Sequence, residues 1–162
     1  MRKGKNADDV KEIIVYEMIF RGRNVPPAGI ECVPFDDGMW EEYAPVYNEC
    51  FREMRTALEI EPYDFYSDIS QTEQKKDCLF VLMNDGRLVG SVACIGSEVD
   101  DLIVRKDCQG RGYGRALLRF AMRKILDGGQ SEVVLHAAQW NEKAIKLYLD
   151  EGFEITKTEK VR

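Results

Sequence analysis

The chain has 162 residues, of which 44% are hydrophobic and 10% are aromatic. This length supplies one sizeable hydrophobic core and little material for a second, so we expect a single domain. The formal net charge of -6 disfavours nucleic acid as the main partner, because phosphate binding relies on clustered Lys and Arg; it fits a cationic substrate, and it fits equally an acidity that only keeps the protein soluble.

Hydropathy and cysteine spacing indicate the compartment. No apolar run approaches the roughly 20 residues that cross a bilayer, and the charged stretch from Met1 to Val10 lacks the apolar centre of a signal peptide. We therefore expect a cytoplasmic protein without a membrane partner. The five cysteines are odd in number and scattered, which favours reduced thiols over a disulfide framework and argues against a metal site.

The first segment, residues 1–29, is predicted to be an arm in front of the domain at residues 30–162. Ile13 to Phe20 is rich in β-branched and aromatic residues, and a stretch with Gly and Pro follows it, so it forms an extra strand or the start of a hairpin. Its two-residue alternation is poor, and a helix from Asp8 to Phe20 is the alternative. Because an extra edge strand invites strand addition, the arm is a candidate for pairing in a homodimer.

A short strand and an amphipathic helix are predicted next. Ile30 to Phe35 is the strand, and Asp36 or Asp37 offers the N-cap of the helix. The apolar positions of that helix have helical spacing: Tyr43, Val46, Tyr47, Cys50, Phe51 and Met54. From Leu58 to Lys76 the pattern is weak and polar, which predicts a short helix and a loop over a pocket.

The second half of the chain alternates strands and helices. Asn84, Asp85 and Gly86 join two apolar runs, and an Asp-Gly pair tolerates the positive φ angles of a tight hairpin. In chain order we predict strands at 78–84, 87–95 and 98–104, a helix at 115–126, a strand at 133–138, a helix at 142–151 capped by Asn141, and a strand at 153–158.

A glycine-rich turn, Gln109-Gly110-Arg111-Gly112-Tyr113-Gly114, lies between a predicted strand and a helix. Glycines let the backbone approach a ligand closely, and the first N–H groups of the helix point at an anion. A dinucleotide fingerprint needs glycine at position 115, which is Arg115, and a nucleotide-hydrolase loop needs Gly-Lys-Ser or Gly-Lys-Thr, which is absent. Two interpretations of the turn remain: it binds phosphate in a different type of site, or it serves only close packing.

Cations surround this turn in an otherwise acidic chain. They are Arg105, Lys106, Arg111, Arg115, Arg119 and Arg123. Such a local excess of positive charge fits a polyanionic ligand, although a solvated helix face explains Arg119 and Arg123 as well.

The turn resembles the Gln-x-x-Gly-x-Gly signature of the GNAT superfamily of N-acetyltransferases, and the flanking Leu102-Ile103-Val104 and Ala116-Leu117-Leu118 fit it too. A second motif follows at the expected distance: Asn141, Ala144, Leu147, Tyr148, Gly152 and Phe153 match the family's Asn-x-x-Ala-x-x-Leu-Tyr-x-x-x-Gly-Phe pattern. The likeness extends over residues 30–158 in the order of elements, with the motifs at 98–153. Lys106 departs from the proline that the family often has there.

The resemblance implies the fold and the donor. It implies an α/β (α+β) domain with a mixed, mostly antiparallel twisted sheet, flanked by helices and splayed between the strand ending at Val104 and the strand containing His136. Acetyl-coenzyme A is the implied co-substrate, without a metal. The implied coenzyme A contacts are Leu102, Ile103, Val104, Gln109, Gly110, Arg111, Gly112, Tyr113, Gly114, Arg115, Asn141, Ala144 and Tyr148.

Acetyl transfer to an amine needs a neutral nitrogen, a polarised thioester carbonyl and a proton for the departing thiolate. The resemblance implies direct attack in a ternary complex, so Cys108 is not a nucleophile. It also puts a proton-donating phenol at Tyr148; packing against Leu147 and Ile145 is the alternative role.

The sequence contains more than one candidate for the general base that deprotonates the amine. Carboxylates on the strand before the turn are candidates: Glu98, Asp100 and Asp101. By alternation Glu98 and Asp100 share the face of Leu102 and Val104, and Glu98 is preferred. The single histidine, His136, is the other candidate, because its pKa suits proton transfer at neutral pH, although a lone strand histidine is also typical of a structural role.

Three functions therefore follow from the sequence. The first is acetylation of a primary amine on a small molecule or peptide, and the second is a non-catalytic domain that binds or senses acyl-coenzyme A. A nucleotide-binding protein is the third. The acceptor has no diagnostic pattern.

Overall fold

The elements of the computed structural model, which describes residues 10–162, follow the predicted order. They are β1 (Ile14–Phe20), β2 (Val33–Pro34), α1 (Trp40–Ala57), β3 (Leu79–Asn84), β4 (Arg87–Ile95), β5 (Glu98–Val104), α2 (Tyr113–Asp127), β6 (Val133–Ala138), α3 (Glu142–Asp150) and β7 (Glu154–Lys160). The start of the predicted arm, residues 1–9, lies outside the described residues. Between residues 10 and 162, none of the helices combines the length and the hydropathy that crossing a membrane requires.

One seven-stranded sheet organises the fold, in the order β2-β3-β4-β5-β6-β1-β7. Every neighbouring pair is antiparallel except β5 and β6, which run parallel. Side chains of α2 and α3 join one core cluster on one face of the sheet, and α1 covers part of the other face. This confirms the predicted mixed, mostly antiparallel sheet with flanking helices.

The first strand does not lie at the edge of the sheet, which is where the predicted arm is expected to pair with another subunit; the homodimer itself stays a prediction. Ile14–Phe20 forms a strand and not the alternative helix. This strand, β1, lies between β6 and β7 and bonds to both. Residues 14–20 are thus an interior strand of the same sheet as the rest of the chain. Their alternation is poor because Met18, Ile19 and Phe20 are all buried, so both faces of this strand end are apolar.

The segment around α1 differs from the prediction in detail. The expected strand at 30–35 is reduced to Val33–Pro34, since proline supplies no N–H for a longer ladder. Asp36 accepts a hydrogen bond from the Gly38 N–H at 2.8 Å and caps a 3-10 turn that leads into α1, rather than α1 itself. Residues 58–76 contain the short 3-10 helix Ile69–Thr72 and otherwise loop.

The predicted hairpin between β3 and β4 is confirmed. Asp85 and Gly86 have φ angles of 51° and 73°, which are the positive values that a tight two-residue turn requires.

A β-bulge interrupts β5. Ile103 lies opposite Ser91 and Asp100 lies opposite Ala93, so that Asp101 and Leu102 together face one residue of β4. Asp101 has a φ of 49°. The pairing of β5 with β6 extends only to Glu98 opposite Val134, and the two strands separate beyond it. The predicted splay is therefore confirmed: it starts after Glu98, and the bulge at Asp101 and Leu102 follows within it.

The bulge also shows that the prediction of a shared face on β5 is wrong. Val99, Leu102 and Val104 all contact the core cluster that includes α2, which is possible only if the alternation shifts by one residue between them. Glu98 and Asp100 therefore lie on the opposite face from Leu102 and Val104. Two-residue alternation holds only in a regular strand, and the positive φ at Asp101 ends that regularity.

Gly90 on β4 is required by close packing beneath β5. A Cβ at this position would lie 2.5 Å from the Ile103 carbonyl oxygen and 2.8 Å from Leu117 Cδ1. We expect Gly90→Ala to lower the free energy of unfolding by about 2–3 kcal/mol through overpacking, as measured by urea denaturation. Gly114→Ala is the control, because its Cβ would make only ordinary contacts, with atoms 3.7 Å and 3.9 Å away; equal losses in the two variants would contradict the argument.

Candidate active site

The glycine turn has the geometry of an anion cradle. Gly110 and Gly112 have φ angles of +78° and +86°, and a Cβ on either would meet no atom within 4 Å. Gly112 is the N-cap of α2, and neither a capping side chain nor an acidic residue in the first turn serves that helix end. The first N–H groups of α2 therefore lack a side-chain acceptor, and an anion is the partner that such a helix end favours.

Gln109 connects the turn to the splay. Its Nε2 donates to the Val104 carbonyl at 3.1 Å, and the Cys50 thiol donates to the same oxygen at 3.1 Å. The Arg105 N–H donates to the Val89 carbonyl, so the backbone groups of Val104, one residue earlier, point away from β4 and toward the cleft. The structure thus brings the predicted backbone contact at Val104 to the cleft.

Other predicted coenzyme A contacts lie around Val104. Ile103 is opposite Ser91 of β4, and its side chain belongs to the core under α1. Leu102 and Tyr113 are half-buried against the other core. Gly114 lies against Val104 of β5 and Leu147 of α3, so the N-terminus of α2 meets both elements that flank the cleft.

Most of the cations around the turn are held by protein groups. Arg105 binds Glu42 at 2.9 Å, Arg123 donates to the Val25 carbonyl at 2.8 Å, and Arg115 and Arg119 both bind Glu151. Arg119 is therefore only partly solvated, whereas Arg123 is exposed, as predicted for a solvated helix face. In the part of the chain that the structure describes, Arg111 and Lys106 make no side-chain hydrogen bond or ion pair, and Arg111 is the one within the turn.

Glu151, Arg115 and Arg119 form an ion cluster around a buried carboxylate, here called the Glu151 clamp. The Glu151 side chain is only 4% exposed. Arg119 donates to both carboxylate oxygens at 2.7 Å and 2.9 Å, and Arg115 donates to Oε1. Burial acts to raise the pKa of Glu151, but the bonds from Arg119 and Arg115 outweigh it, so the pKa is lowered. Sequence analysis missed Glu151.

We expect Glu151→Gln to lower the free energy of unfolding at neutral pH by about 1–2 kcal/mol, because two arginines lose a buried counter-charge while their own partly exposed guanidiniums remain screened by solvent. A lowered pKa in the folded state means that this contribution is complete above the ordinary pKa of glutamate and is lost as the pH falls through the folded value. Denaturant titrations of both proteins between neutral and acidic pH measure it. A difference that stays constant on acidification would contradict the assignment.

Helix α3 carries the second predicted motif. Asn141 Oδ1 accepts the Ala144 N–H at 3.3 Å and caps the helix, as predicted. Tyr148 is half-buried, and its ring meets that of Phe153 at 6.1 Å in an edge arrangement. Burial, with a smaller contribution from Asp100, raises the pKa of Tyr148 to about 12. The phenol is therefore protonated at neutral pH, which suits a proton donor.

Two of the predicted bases are brought together on the face opposite α2. His136 Nδ1 lies 3.1 Å from Glu98 Oε1, and its Nε2 lies 3.6 Å from Glu17 Oε2. All three side chains reach solvent. Sequence analysis missed Glu17, because only the pairing of β1 with β6 places it opposite His136.

Asp100 belongs to a different group. Its Oδ2 is 3.5 Å from Lys75 Nζ, which also binds Asp101. The Tyr47 hydroxyl donates to Asp101 at 3.2 Å, and burial together with Asp100 raises the pKa of Asp101. This group ties the loop before β3 and helix α1 to the bulge of β5. Lys75 lies in the segment without a pattern, so no sequence signal predicts its role.

Comparisons with known proteins agree with this geometry. The profile of the acetyltransferase (GNAT) family matches residues 40–153. None of the curated proteins matches the chain.

Solved structures share the fold. A GNAT-family structure from Novosphingobium aromaticivorans has a TM-score of 0.65 at 21% identity and covers 92% of this chain and 62% of its own. A GCN5-related N-acetyltransferase from Sphaerobacter thermophilus has a TM-score of 0.61 at 19% identity and covers 94% of this chain and 53% of its own. A GNAT-family acetyltransferase from Colwellia psychrerythraea has a TM-score of 0.69 at 12% identity and covers 91% of this chain and 54% of its own. This chain thus spans between 53% and 62% of their lengths.

Proposed function

Because the chain belongs to the GNAT family of acetyltransferases, we propose that it transfers the acetyl group of acetyl-coenzyme A to a primary amine of a small molecule or peptide. The observation that carries the proposal is the uncapped N-terminus of α2, with its two left-handed glycines, beside the point where β5 leaves β6. A polyanionic donor at the turn has its reactive end directed along the cleft between β5 and β6, with Tyr148 on the face of α2 and the predicted bases on the opposite face.

The residues of the donor site fit coenzyme A. Its pyrophosphate is held by the N–H groups at the start of α2 and by Arg111. The pantetheine arm meets the backbone N–H of Val104, whose carbonyl already accepts from Gln109 and Cys50, and the N-terminal half of α3 with Asn141 and Ala144 lies beside it. When bound, the thioester supplies the electrophilic carbonyl.

Two proton movements are assigned to the protein. The amine loses a proton to Glu98, whose contact with His136 at 3.1 Å lets the ring share the proton, and the departing sulfur takes a proton from Tyr148. Glu98 is favoured over Asp100, because Asp100 is already paired with Lys75. Cys108 is buried and donates to Asp107, which supports direct attack of the amine without an acyl-cysteine.

Release of free coenzyme A thiol with a panel of amines tests the proposal. The panel contains polyamines, aminoglycosides, amino acids and peptides with free N-termini, and Glu98→Gln and His136→Ala are assayed beside the wild type. We expect thiol release above hydrolysis with at least one amine class. Tight binding of acetyl-coenzyme A in calorimetry without release with any amine would instead support a binding or sensing domain.

A further inference from the structure

Glu151 joins the helix that carries Tyr148 to the helix that begins at the glycine turn. We propose that Glu151 is a positioning residue: through Arg115 and Arg119 it fixes α3 against α2, and Arg115 serves this clamp rather than the phosphates of the donor. The part that concerns turnover rests on the proposed function; the part that concerns coenzyme A and α3 does not.

The geometry joins two parts of the site. Glu151 follows directly after α3 and lies three residues beyond Tyr148. Arg115 stands in the first turn of α2, immediately after Gly114, and Arg119 lies one turn later on the same face. The Glu151 clamp therefore spans the cradle and the helix of the predicted acid, with a carboxylate that is only 4% exposed.

Helix α3 needs such a fixing point. It has nine residues, none of them buried, and a helix this short is marginal without tertiary contacts. Its apolar docking rests on half-buried side chains, Ile145, Leu147 and Tyr148. A buried pair with defined donor geometry selects one orientation, and a displacement of about 1 Å at a reacting group can cost a hundredfold in rate.

The charges assign Arg115 to the clamp. Its guanidinium binds Glu151 and lies 3.8 Å from Asp150, so two carboxylates already balance it. Using Arg115 for phosphate would leave Glu151 with one counter-charge fewer in a buried site. Arg111 lies inside the turn, and in the described part of the chain no carboxylate pairs with it. The cradle thus binds phosphate through helix N–H groups and Arg111.

Affinity and turnover separate the two roles of Arg115. Arg115→Gln, Glu151→Gln and the double variant are compared by calorimetry with coenzyme A and by steady-state kinetics with the best amine. We expect coenzyme A dissociation constants within about threefold of the wild type, a kcat lowered about tenfold in each single variant, and no further loss in the double variant, because both changes break the same cluster. Arg115→Lys, which keeps one bond, should recover part of kcat.

Two control variants are measured beside the clamp variants, one expected to have no effect and one expected to weaken coenzyme A binding. Glu132→Gln breaks an exposed pair with Arg21 outside the Glu151 clamp and should change neither quantity. Arg111→Gln should weaken coenzyme A about tenfold. A loss of coenzyme A affinity beyond threefold in Arg115→Gln, or an unchanged kcat in both single variants, overturns the proposal.

Hydrogen exchange does not depend on turnover, so it tests the Glu151 clamp separately from the proposed acetyltransferase function. Hydrogen exchange of the α3 amides, with coenzyme A bound, should quicken about tenfold in Glu151→Gln and stay unchanged in Glu132→Gln. If that occurs and the wild type acetylates no amine, the clamp stands and the proposed function fails. Unchanged α3 protection in Glu151→Gln overturns the clamp whatever the amine panel shows.

Discussion

Gly112→Ala should weaken the binding of coenzyme A about 100-fold. Gly112 has a φ of +86°, a conformation that costs an L-residue about 1–2 kcal/mol. Relaxing that strain rotates the peptide that leads into α2 and turns its first N–H groups away from the anion. Losing about two charge-assisted hydrogen bonds removes roughly 3 kcal/mol of binding free energy, which corresponds to about two decades in the dissociation constant.

Gly29→Ala is the matched control for this substitution. Gly29 has a φ of +73°, and a Cβ there would likewise meet no atom within 4 Å, but it lies in the loop after β1. Both variants should lose a similar amount of stability, about 1–2 kcal/mol from the strained conformation, and only Gly112→Ala should lose affinity. Calorimetry with coenzyme A and urea denaturation measure the two quantities. Equal affinities in the two variants would show that the turn does not hold the phosphates.

The glycine turn and the uncapped N-terminus of α2 could be predicted from the sequence, because their geometry is local. Glycines at fixed positions set the turn, and the helix that follows supplies the N–H groups, so contiguous residues define the cradle. Asn141 likewise caps the helix that it starts. Such features depend on the order of residues along one stretch of chain and not on which strands become neighbours.

The surroundings of the candidate bases depend on long-range pairing and could not be predicted in the same way. Glu17 reaches His136 only because β1 enters the sheet between β6 and β7. The bulge at Asp101 reverses the faces of β5, so a correct strand assignment still gave the wrong side for Glu98 and Asp100. Lys75 comes from a loop without periodicity and meets Asp101 through tertiary packing alone.

Tyr148→Phe should lower kcat about 100-fold, at the lower end of the range for general acid catalysis, and leave the KM for acetyl-coenzyme A nearly unchanged. The substitution removes one oxygen and keeps the ring that packs on Phe153, so α3 should remain docked. With its pKa raised to about 12, the phenol holds its proton at every pH below that value. The wild-type kcat should therefore show no alkaline loss from Tyr148 between neutral pH and the point where the protein itself unfolds.

The size of the kcat loss distinguishes this role from packing, and its pH dependence checks that the wild-type phenol stays protonated. If Tyr148 is the acid, Tyr148→Phe loses kcat by the same factor at neutral and at mildly alkaline pH, because the wild-type group is protonated throughout. Steady-state kinetics across that range, with the thermal midpoint as a check on folding, give the measurement. A kcat equal to that of the wild type would contradict the acid role and leave Tyr148 as a packing residue against Phe153, in which case the departing sulfur would take its proton from solvent.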